Sequence, residues 1–351
     1  MITAGVLGAT GYMGSEVIRV LLQHPDIEIA WLASRKEGLL EDYHPNFYGL
    51  DIKLVHPDKI FHCDIVFVAL PTAASLDIFP RLLDMDCRVI DLGAALRLSS
   101  KDTWEDVYQQ AHNQWHLATE AVYGLSEHYY DEIKSARLIA NPGCFSSAAI
   151  LGLAPLVKEQ IVEPATIVVN GLSGTAGMGV ELSRAAHHPE IGNNLVPYNV
   201  VDHRHSYEME QELSVLINDV VRVHFTPVYV PVTRGILAVC HAFTIKEISR
   251  ENLLEIYRNY YQGHPFVKIF DALKEESGDW QYKPYPWVSV VSGTNYCYIG
   301  LDVDIKRNRV VIFSVLDNMG KGGAHAGIEN MNIMFNLDRK AGLTCLGRHP
   351  A

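Results

Sequence analysis

Cys144, His205 and Glu208 are the residues whose types and setting can do chemistry on a carbonyl. Cys144 follows an apolar run, residues 137–140, closed by Asn141-Pro142-Gly143. It precedes apolar residues at helical spacing over 145–158. The pattern predicts a short buried strand, a sharp break and a helix that starts at the cysteine. A thiol there faces unpaired N–H groups and the positive end of the helix dipole, and both favour the nucleophilic thiolate. The same N–H groups can hold the oxyanion formed when a thiolate attacks a carbonyl. A small buried cysteine filling a helix–sheet junction is the plainer alternative. His205 and Glu208, in Asp202-His203-Arg204-His205-Ser206-Tyr207-Glu208, are three apart and share a helix face. A Glu beside a His orients it and raises its basicity, and a His beside a Cys can take its proton. A polar helix start on the surface would have the same pattern.

Elements must position these groups, and the first half of the chain supplies a regular set. Residues 2–7 read as a strand that runs into Gly8-Ala9-Thr10-Gly11-Tyr12-Met13-Gly14. A helix follows, with Val17, Ile18, Leu21 and Leu22 as its apolar stripe and Glu16 and Arg19 outside it. Strand, glycine turn and amphipathic helix form the setting of a dinucleotide fingerprint, here spaced G-x-x-G-x-x-G. Such a turn lets the backbone approach a pyrophosphate at the helix N-terminus. A second strand, 27–33, ends in Ser34-Arg35-Lys36 where NAD enzymes carry an acidic residue. Cations without a carboxylate favour the 2′-phosphate of NADP, although two solvated loop cations would read alike. Apolar runs at 65–70 and 88–92, with helical material over 76–85, extend a parallel, doubly wound sheet. Arg97, just past a strand end, is either a site for an anionic substrate or a structural arginine. Tyr130 and Lys134 have the spacing of a short-chain dehydrogenase pair. The upstream stretch 104–118 is polar, with no buried strand to carry the serine that chemistry needs, so they read as surface residues one helical turn apart.

Beyond the Cys144 helix the organisation changes. Residues 167–170, 221–230, 235–245, 288–292, 296–305 and 310–315 read as strands, 171–179 as a glycine-rich loop, and 251–261 as the clearest helix. One mixed or antiparallel sheet in a second domain is expected. Gly320-Lys321-Gly322-Gly323 then leads into a last helix, 324–335, with Ile328, Met331, Ile333, Met334 and Phe335 on an apolar side. That helix is expected to return to the first domain. The chain has 351 residues and a net charge of −12, which argues against nucleic acid and anionic membrane surfaces as partners. Six cysteines without paired spacing, no metal-ligand pattern and no apolar run of transmembrane length point to free thiols in a reducing cytoplasm.

Together these motifs resemble the N-acetyl-γ-glutamyl-phosphate reductases of arginine biosynthesis, with the aspartate-semialdehyde dehydrogenases as more distant relatives. The resemblance rests on Gly8 to Gly14, Ser34-Arg35, Ala69-Leu70-Pro71, Asp91-Leu92-Gly93-Ala94 with Arg97, and Tyr123-Gly124-Leu125. Further on it rests on Asn141-Pro142-Gly143-Cys144, Ser173-Gly174 with Gly177, His203-Arg204-His205 with Glu208, Pro231 to Gly235, Gly293-Thr294-Asn295, and Asp317-Asn318 with Lys321-Gly322. It implies an α/β protein: a Rossmann-type NADP-binding domain (1–143 and 319–351) and an α+β catalytic and dimerisation domain with a large mixed sheet (144–318). It implies that Cys144 forms a thioester from an acyl phosphate, with release of inorganic phosphate, and that NADPH reduces the thioester to a semialdehyde. In this picture His205 is the acid/base and Glu208 polarises it. Gly8, Thr10, Gly11, Tyr12, Met13, Gly14, Ser34, Arg35, Lys36 and Asn318 hold NADP(H). Arg97, Asn141, His203, Ser173 and Gly174 hold the substrate. No metal is implied, and a homodimer or homotetramer is expected. Phe145-Ser146-Ser147 stands where the family often has Tyr-Pro-Thr, and His187-His188-Pro189-Glu190 resembles a branch acting on aminoadipyl phosphate, free or carrier-bound, in lysine biosynthesis. That substrate is the alternative.

Overall fold

The computed structural model describes residues 1–271 and 285–349; residues 272–284 of the expected second domain and Pro350 and Ala351 of the expected first one lie outside it. The chain divides into two compact units, Met1–Pro142 with Gly323–Cys345, and Gly143–Gly322 with Leu346–Ala351.

The first unit is a parallel sheet with helices. In chain order it runs β1 (Ile2–Leu7), α1 (Tyr12–Leu21), β2 (Ile27–Ala33), β3 (Ile65–Val68), α2 (Thr72–Asp84) and β4 (Arg88–Asp91). It continues with α3 (Lys101–Tyr108), α4 (Trp115–Glu120), β5 (Val122–Tyr123), α5 (Tyr130–Ser135) and β6 (Leu138–Ala140). The strand order is β2-β1-β3-β4-β6-β5, with every pairing parallel. All four residues of β3 are buried, because helices cover both faces of a parallel sheet and select a continuous apolar run. The order reverses direction at β1, so the glycine turn that follows β1 lies at the switch point, where such sheets bind ligands. Gly5 is required in β1 because a Cβ there would lie 2.3 Å from the Trp31 ring of β2.

The second unit opens with α6 (Cys144–Lys158) and β7 (Ile167–Ser173), then α7 (His188–Ile191), β8 (Val196–Pro197), α8 (Arg204–Ile217) and β9 (Val223–Tyr229). It goes on with β10 (Ile236–Phe243), α9 (Arg250–Tyr260), β11 (Val267–Ile269), β12 (Cys297–Asp304) and β13 (Arg309–Leu316). Its strands form one mixed sheet ordered β11-β12-β13-β10-β7-β9-β8. Helix α6, buried from Phe145 to Val157, packs on β10 and β13. Gly152 allows that approach, since a Cβ there would be 3.1 Å from the Ser314 Cβ. Pro155 inside α6 has no N–H for the Leu151 carbonyl four residues back. The Tyr261 hydroxyl donates to that carbonyl instead.

Several sequence expectations are corrected. Residues 288–292 are not a strand: Val288–Val291 is a 3-10 helix, because turn bonds such as Val290 N–H to the Trp287 carbonyl override the β propensity of the valines. Residues 171–173 are the end of β7 rather than loop, and Gly171 serves packing, a Cβ there being 2.6 Å from the Phe145 ring. On α1, Val17, Ile18 and Leu21 are buried as expected, but Glu16 is buried with them and Leu22 is exposed. The reason is α10 (His325–Met334), which belongs to the first unit and whose His325 bonds Glu16 at 2.8 Å. Helix α10 is likewise not one-sided, since all ten of its residues are buried. Its polar residues find partners in the same unit: Asn332 Oδ1 with the His24 ring at 3.0 Å, Asn330 Nδ2 with the Gly124 carbonyl at 2.8 Å, and Glu329 with Arg339 at 2.7 Å and the Ser126 hydroxyl at 2.8 Å.

Glu329 is fully buried, so removal of its cation leaves a charge in a low-dielectric interior. Arg339→Ala is expected to lower stability by about 3 kcal/mol in urea unfolding. Adding Glu329→Gln should recover part of that loss, and an additive double mutant would contradict the pairing.

Candidate active site

Cys144 is the first residue of α6 and is half-buried. Gly143 is its N-cap and, being glycine, adds no side-chain cap to the first turn of α6. Gly143 donates its own N–H to Glu208 Oε2 at 2.9 Å. A Cβ at 143 would lie 2.6 Å from His205 Nε2 and 2.9 Å from Glu208 Oε1, so the residue before the thiol must be glycine for the imidazole to sit there. Gly322 approaches from another direction, its own Cβ position being 2.9 Å from that of Cys144.

Helix α8 carries His205 and Glu208 on one face, with Nε2 and Oε1 4.0 Å apart and both side chains buried. His203 is the helix N-cap, and its Nδ1 accepts the His205 N–H at 3.1 Å. Burial, reinforced by the Arg204 charge, pulls His203 down to about 4, so the ring is neutral and keeps its acceptor lone pair. Phe145, His203, His205 and Phe225 meet edge to face at ring-centre distances of 4.8–6.0 Å. The Ser146 hydroxyl donates to the His205 carbonyl at 3.4 Å, a second tie between α6 and α8.

The same unit holds Ser173, Gly174 and Asn318. The Ser173 hydroxyl donates to the Gly174 carbonyl, and Gly174 packs on the turn at Thr233. Asn318 accepts the Gly235 N–H at 2.7 Å, while its buried Nδ2 has no hydrogen-bond partner among the described residues. Asn141 and Arg97 fall in the first unit. Asn141 Nδ2 donates to the Gly323 carbonyl and its Oδ1 accepts from Asn330. Arg97 is buried and donates to the Leu92 carbonyl; its charge opposes the burial that raises Asp91 to about 6. Tyr130 and Lys134 lie on the exposed side of short α5, with the Arg339 guanidinium over the Tyr130 ring.

The dinucleotide motif is also assembled within the first unit. Gly8, at φ +84°, turns the chain after β1, and its Cβ would be 2.2 Å from the Ala69 carbonyl oxygen. Gly14 lies against the Gly8 carbonyl at 2.3 Å by the same measure, and Gly11 caps α1 with no side-chain bond, so the helix N-terminus is open. Tyr12 is exposed and Met13 half-buried on the first turn. Thr10 and Ser34 share a hydroxyl hydrogen bond of 3.0 Å, and the Lys36 N–H donates to Ser34 at 3.1 Å, which joins the glycine turn to the end of β2. Arg35 and Lys36 are exposed there, and the end of β2 carries no carboxylate. A cradle that admits no Cβ, an open helix N-terminus and paired exposed cations fit a dinucleotide with a 2′-phosphate. The unpartnered Asn318 Nδ2 is a donor suited to an amide or carboxylate carbonyl.

Sequence reasoning missed the roles of Gly143 and Phe145. Gly143 reads as a chain breaker, and nothing local indicates that an imidazole from sixty residues onward packs on it.

Known proteins place this arrangement. Residues 3–136 match the semialdehyde dehydrogenase NAD binding domain, and residues 144–318 match the semialdehyde dehydrogenase dimerisation domain. Aspartate semialdehyde dehydrogenase II of Vibrio cholerae shares the fold with a TM-score of 0.70 at 18% identity, over 96% of this chain and 98% of that one. An aspartate semialdehyde dehydrogenase of Candida albicans, solved with NADP, does so with a TM-score of 0.64 at 19% identity, over 97% and 99%. The fold and the pair of domains are therefore those of the semialdehyde dehydrogenase class. N-acetyl-gamma-glutamyl-phosphate reductases of Methanopyrus kandleri and Desulforamulus reducens are 40% and 37% identical over the full length of both chains. The chain belongs to the N-acetyl-gamma-glutamyl-phosphate reductase family.

The His203 cap generates a test. His203→Ala should cost about 1 kcal/mol of stability and lower kcat by misplacing His205, while His203→Asn, a good N-cap, should restore most of both. Because His203 is held below its ordinary 6.5, the unfolded chain binds its proton first, so its contribution to stability is lost as pH falls from about 6.5 to about 4. His203→Asn should flatten that segment of the stability–pH curve.

Proposed function

We propose that the protein is an NADPH-dependent acyl-phosphate reductase of arginine biosynthesis, converting N-acetyl-γ-glutamyl phosphate to N-acetylglutamate 5-semialdehyde and inorganic phosphate. The observation that carries this reading is Cys144 at the N-terminus of α6, with His205 and Glu208 packed on the glycine before it. The family membership supplies the substrate.

Cys144 Sγ attacks the acyl carbon, the bond to the phosphate oxygen breaks, and phosphate leaves, giving a thioester. His205 takes the thiol proton as the sulfur attacks and returns it when the thiohemiacetal collapses to the aldehyde. Glu208 orients that ring and, through the Gly143 N–H, fixes the peptide ahead of the nucleophile. The N–H groups at the start of α6 hold the carbonyl oxygen while it carries charge. When bound, NADPH supplies the hydride that reduces the thioester. Gly8, Thr10, Gly11, Tyr12, Met13 and Gly14 bind its pyrophosphate, Ser34, Arg35 and Lys36 its 2′-phosphate, and Asn318 its nicotinamide half. Arg97, Asn141, His203, Ser173 and Gly174 form the substrate side, with His203 and Arg97 acting through structure as well.

The chain acts as a homodimer or homotetramer in the cytoplasm. No described helix is long and apolar enough to cross a membrane. Val168, Leu172, Val239, Val311 and Phe313 are half-buried on one face of the second sheet, a surface that fits another copy.

The reverse reaction is the test. With N-acetylglutamate semialdehyde and NADP, NADPH should form only when inorganic phosphate is present, and Cys144→Ser should lower the rate on the order of 10⁴-fold with NADP binding retained. Phosphate-independent turnover, or signal only with the aminoadipate analogue, would overturn the reaction or the substrate. Replacing Arg35 and Lys36 with Ala should raise the Kd for NADP about tenfold or more and leave NAD little changed; equal effects on both would remove the 2′-phosphate assignment.

A further inference from the structure

The residue before Asn318 is a carboxylate with no part in the proposed chemistry. Asp317 directly follows β13, and Arg234 lies two residues ahead of β10. These strands pair with Leu316 opposite Ile236, so the register brings the two residues to one end of the second sheet. Their side chains form a fork, with Arg234 Nη2 2.9 Å from Asp317 Oδ2 and Nε 3.3 Å from Oδ1. The Asp317 side chain is fully buried, and its oxygens also accept the Met319 N–H at 2.8 Å and the Gly293 N–H. Its carbonyl accepts the Gly320 and Gly322 N–H groups at 3.0 and 2.9 Å. The backbone on both sides of Asn318 is thus held by one residue. The Asn318 side chain is tied to the arginine's own turn by the Gly235 N–H on Oδ1, which leaves Nδ2 to donate elsewhere. At the far end of the stretch, the Cβ position of Gly322 is 2.9 Å from that of Cys144. Segment 317–322 therefore carries both the amide assigned to the cofactor and a contact with the nucleophile.

We propose that the Arg234–Asp317 pair is a positioning device for hydride transfer. The inference rests on the reading of Asn318 as a nicotinamide contact in an NADPH-dependent reductase. In that step the acyl carbon of the Cys144 thioester gains a hydride, its C=O pair moves onto oxygen, and a proton taken there gives the thiohemiacetal. The hydride and its two electrons come from NADPH, which is left as NADP. Such a transfer is sensitive to spacing, and a misplacement of about 1 Å costs on the order of 100-fold. A carboxylate held by two guanidinium nitrogens and two backbone N–H groups cannot shift without losing several bonds at once. Asn318 and Gly322 then keep one spacing. Neither Arg234 nor Asp317 touches a reacting atom in this role; each acts through those two residues. Stability alone does not call for the pair, since apolar residues of similar volume often replace a buried ion pair without loss.

The experiment rapidly mixes the full chain with NADP, inorganic phosphate and N-acetylglutamate semialdehyde carrying hydrogen or deuterium on the aldehyde carbon, and follows NADPH. Arg234→Gln and Asp317→Asn should each slow the first turnover on the order of 10-fold to 100-fold. The full deuterium effect should then be expressed on kcat, because hydride transfer limits the rate. The Kd for NADP, set by the pyrophosphate and 2′-phosphate contacts, should change far less. Arg234→Gln also leaves a buried carboxylate without its cation, so it should unfold at lower urea. Combined with Asp317→Asn, it should regain the wild-type midpoint while the first turnover stays slow, since one amide bond does not replace the fork. Recovery of rate together with stability in the double variant would make the pair merely structural and overturn the inference. So would a wild-type rate and isotope effect in both single variants. The double variant decides the matter even where Arg234→Gln fails to fold. A wild-type chain that forms no NADPH defeats the reductase reading itself, and the inference falls with it.

Discussion

The hydrogen bond from the Gly143 N–H to Glu208 is the constraint on which the second unit's site depends. Glu208 is wholly buried, and a carboxylate in such a place needs donors. One of its oxygens takes the N–H just before the nucleophile; the other faces the His205 ring. A single side chain thus fixes the entry to α6 and the imidazole on α8 at once. The edge-to-face cluster around Phe145 and the Ser146 bond to the His205 carbonyl repeat that tie through other atoms. Repetition restrains the ring better than any one bond, and a positioned base is worth more than a merely nearby one.

The first unit follows the same logic with a whole helix. Helix α10 is buried on every side although it carries histidine, glutamate and asparagines. Burial of those groups is tolerable because each has a partner on a different element: Glu16 of α1, His24 after α1, Gly124 after β5, Asn141 after β6, Arg339 beyond α10. Polar contacts of this kind specify one register, where an apolar stripe would accept several. The result fixes α1, which follows the glycine turn, and the end of β6, which leads to Cys144.

This division explains what was legible in the sequence. The glycine turn, the cation pair after β2 and the placement of Cys144 at a helix start are local patterns, and local patterns follow from backbone chemistry. The mixed sheet was legible as long alternating strands. The run at 288–292 was misread because β-branched composition gives no sign of turn bonds or of the Gly293 N–H held by Asp317. Glu16 and α10 were misread for another reason. Amphipathic reasoning assumes that a charged residue seeks water, and it fails where a partner hundreds of positions away makes burial acceptable. Gly143 belongs with them: its glycine is demanded by the His205 ring, a contact with no local signature.

The chain path adds one further point. The chain leaves the first unit between Pro142 and Gly143 and re-enters it between Gly322 and Gly323. On the first unit's side these two crossings are clipped together by the Asn141 amide on the Gly323 carbonyl, with Asn330 holding Asn141. On the second unit's side they meet again, where Gly322 comes close enough to Cys144 that its Cβ position is 2.9 Å away. Within the second unit, the start of α6 is thus set by two stretches far apart in the chain, at Gly143 and at Gly322. Each crossing needs glycine: at 143 the His205 ring and the Glu208 carboxylate occupy the place of a Cβ, and at 322 the Cys144 Cβ does. That is the physical content of Asn-Pro-Gly-Cys and of Lys-Gly-Gly in this sequence: two motifs far apart in the chain that specify one place.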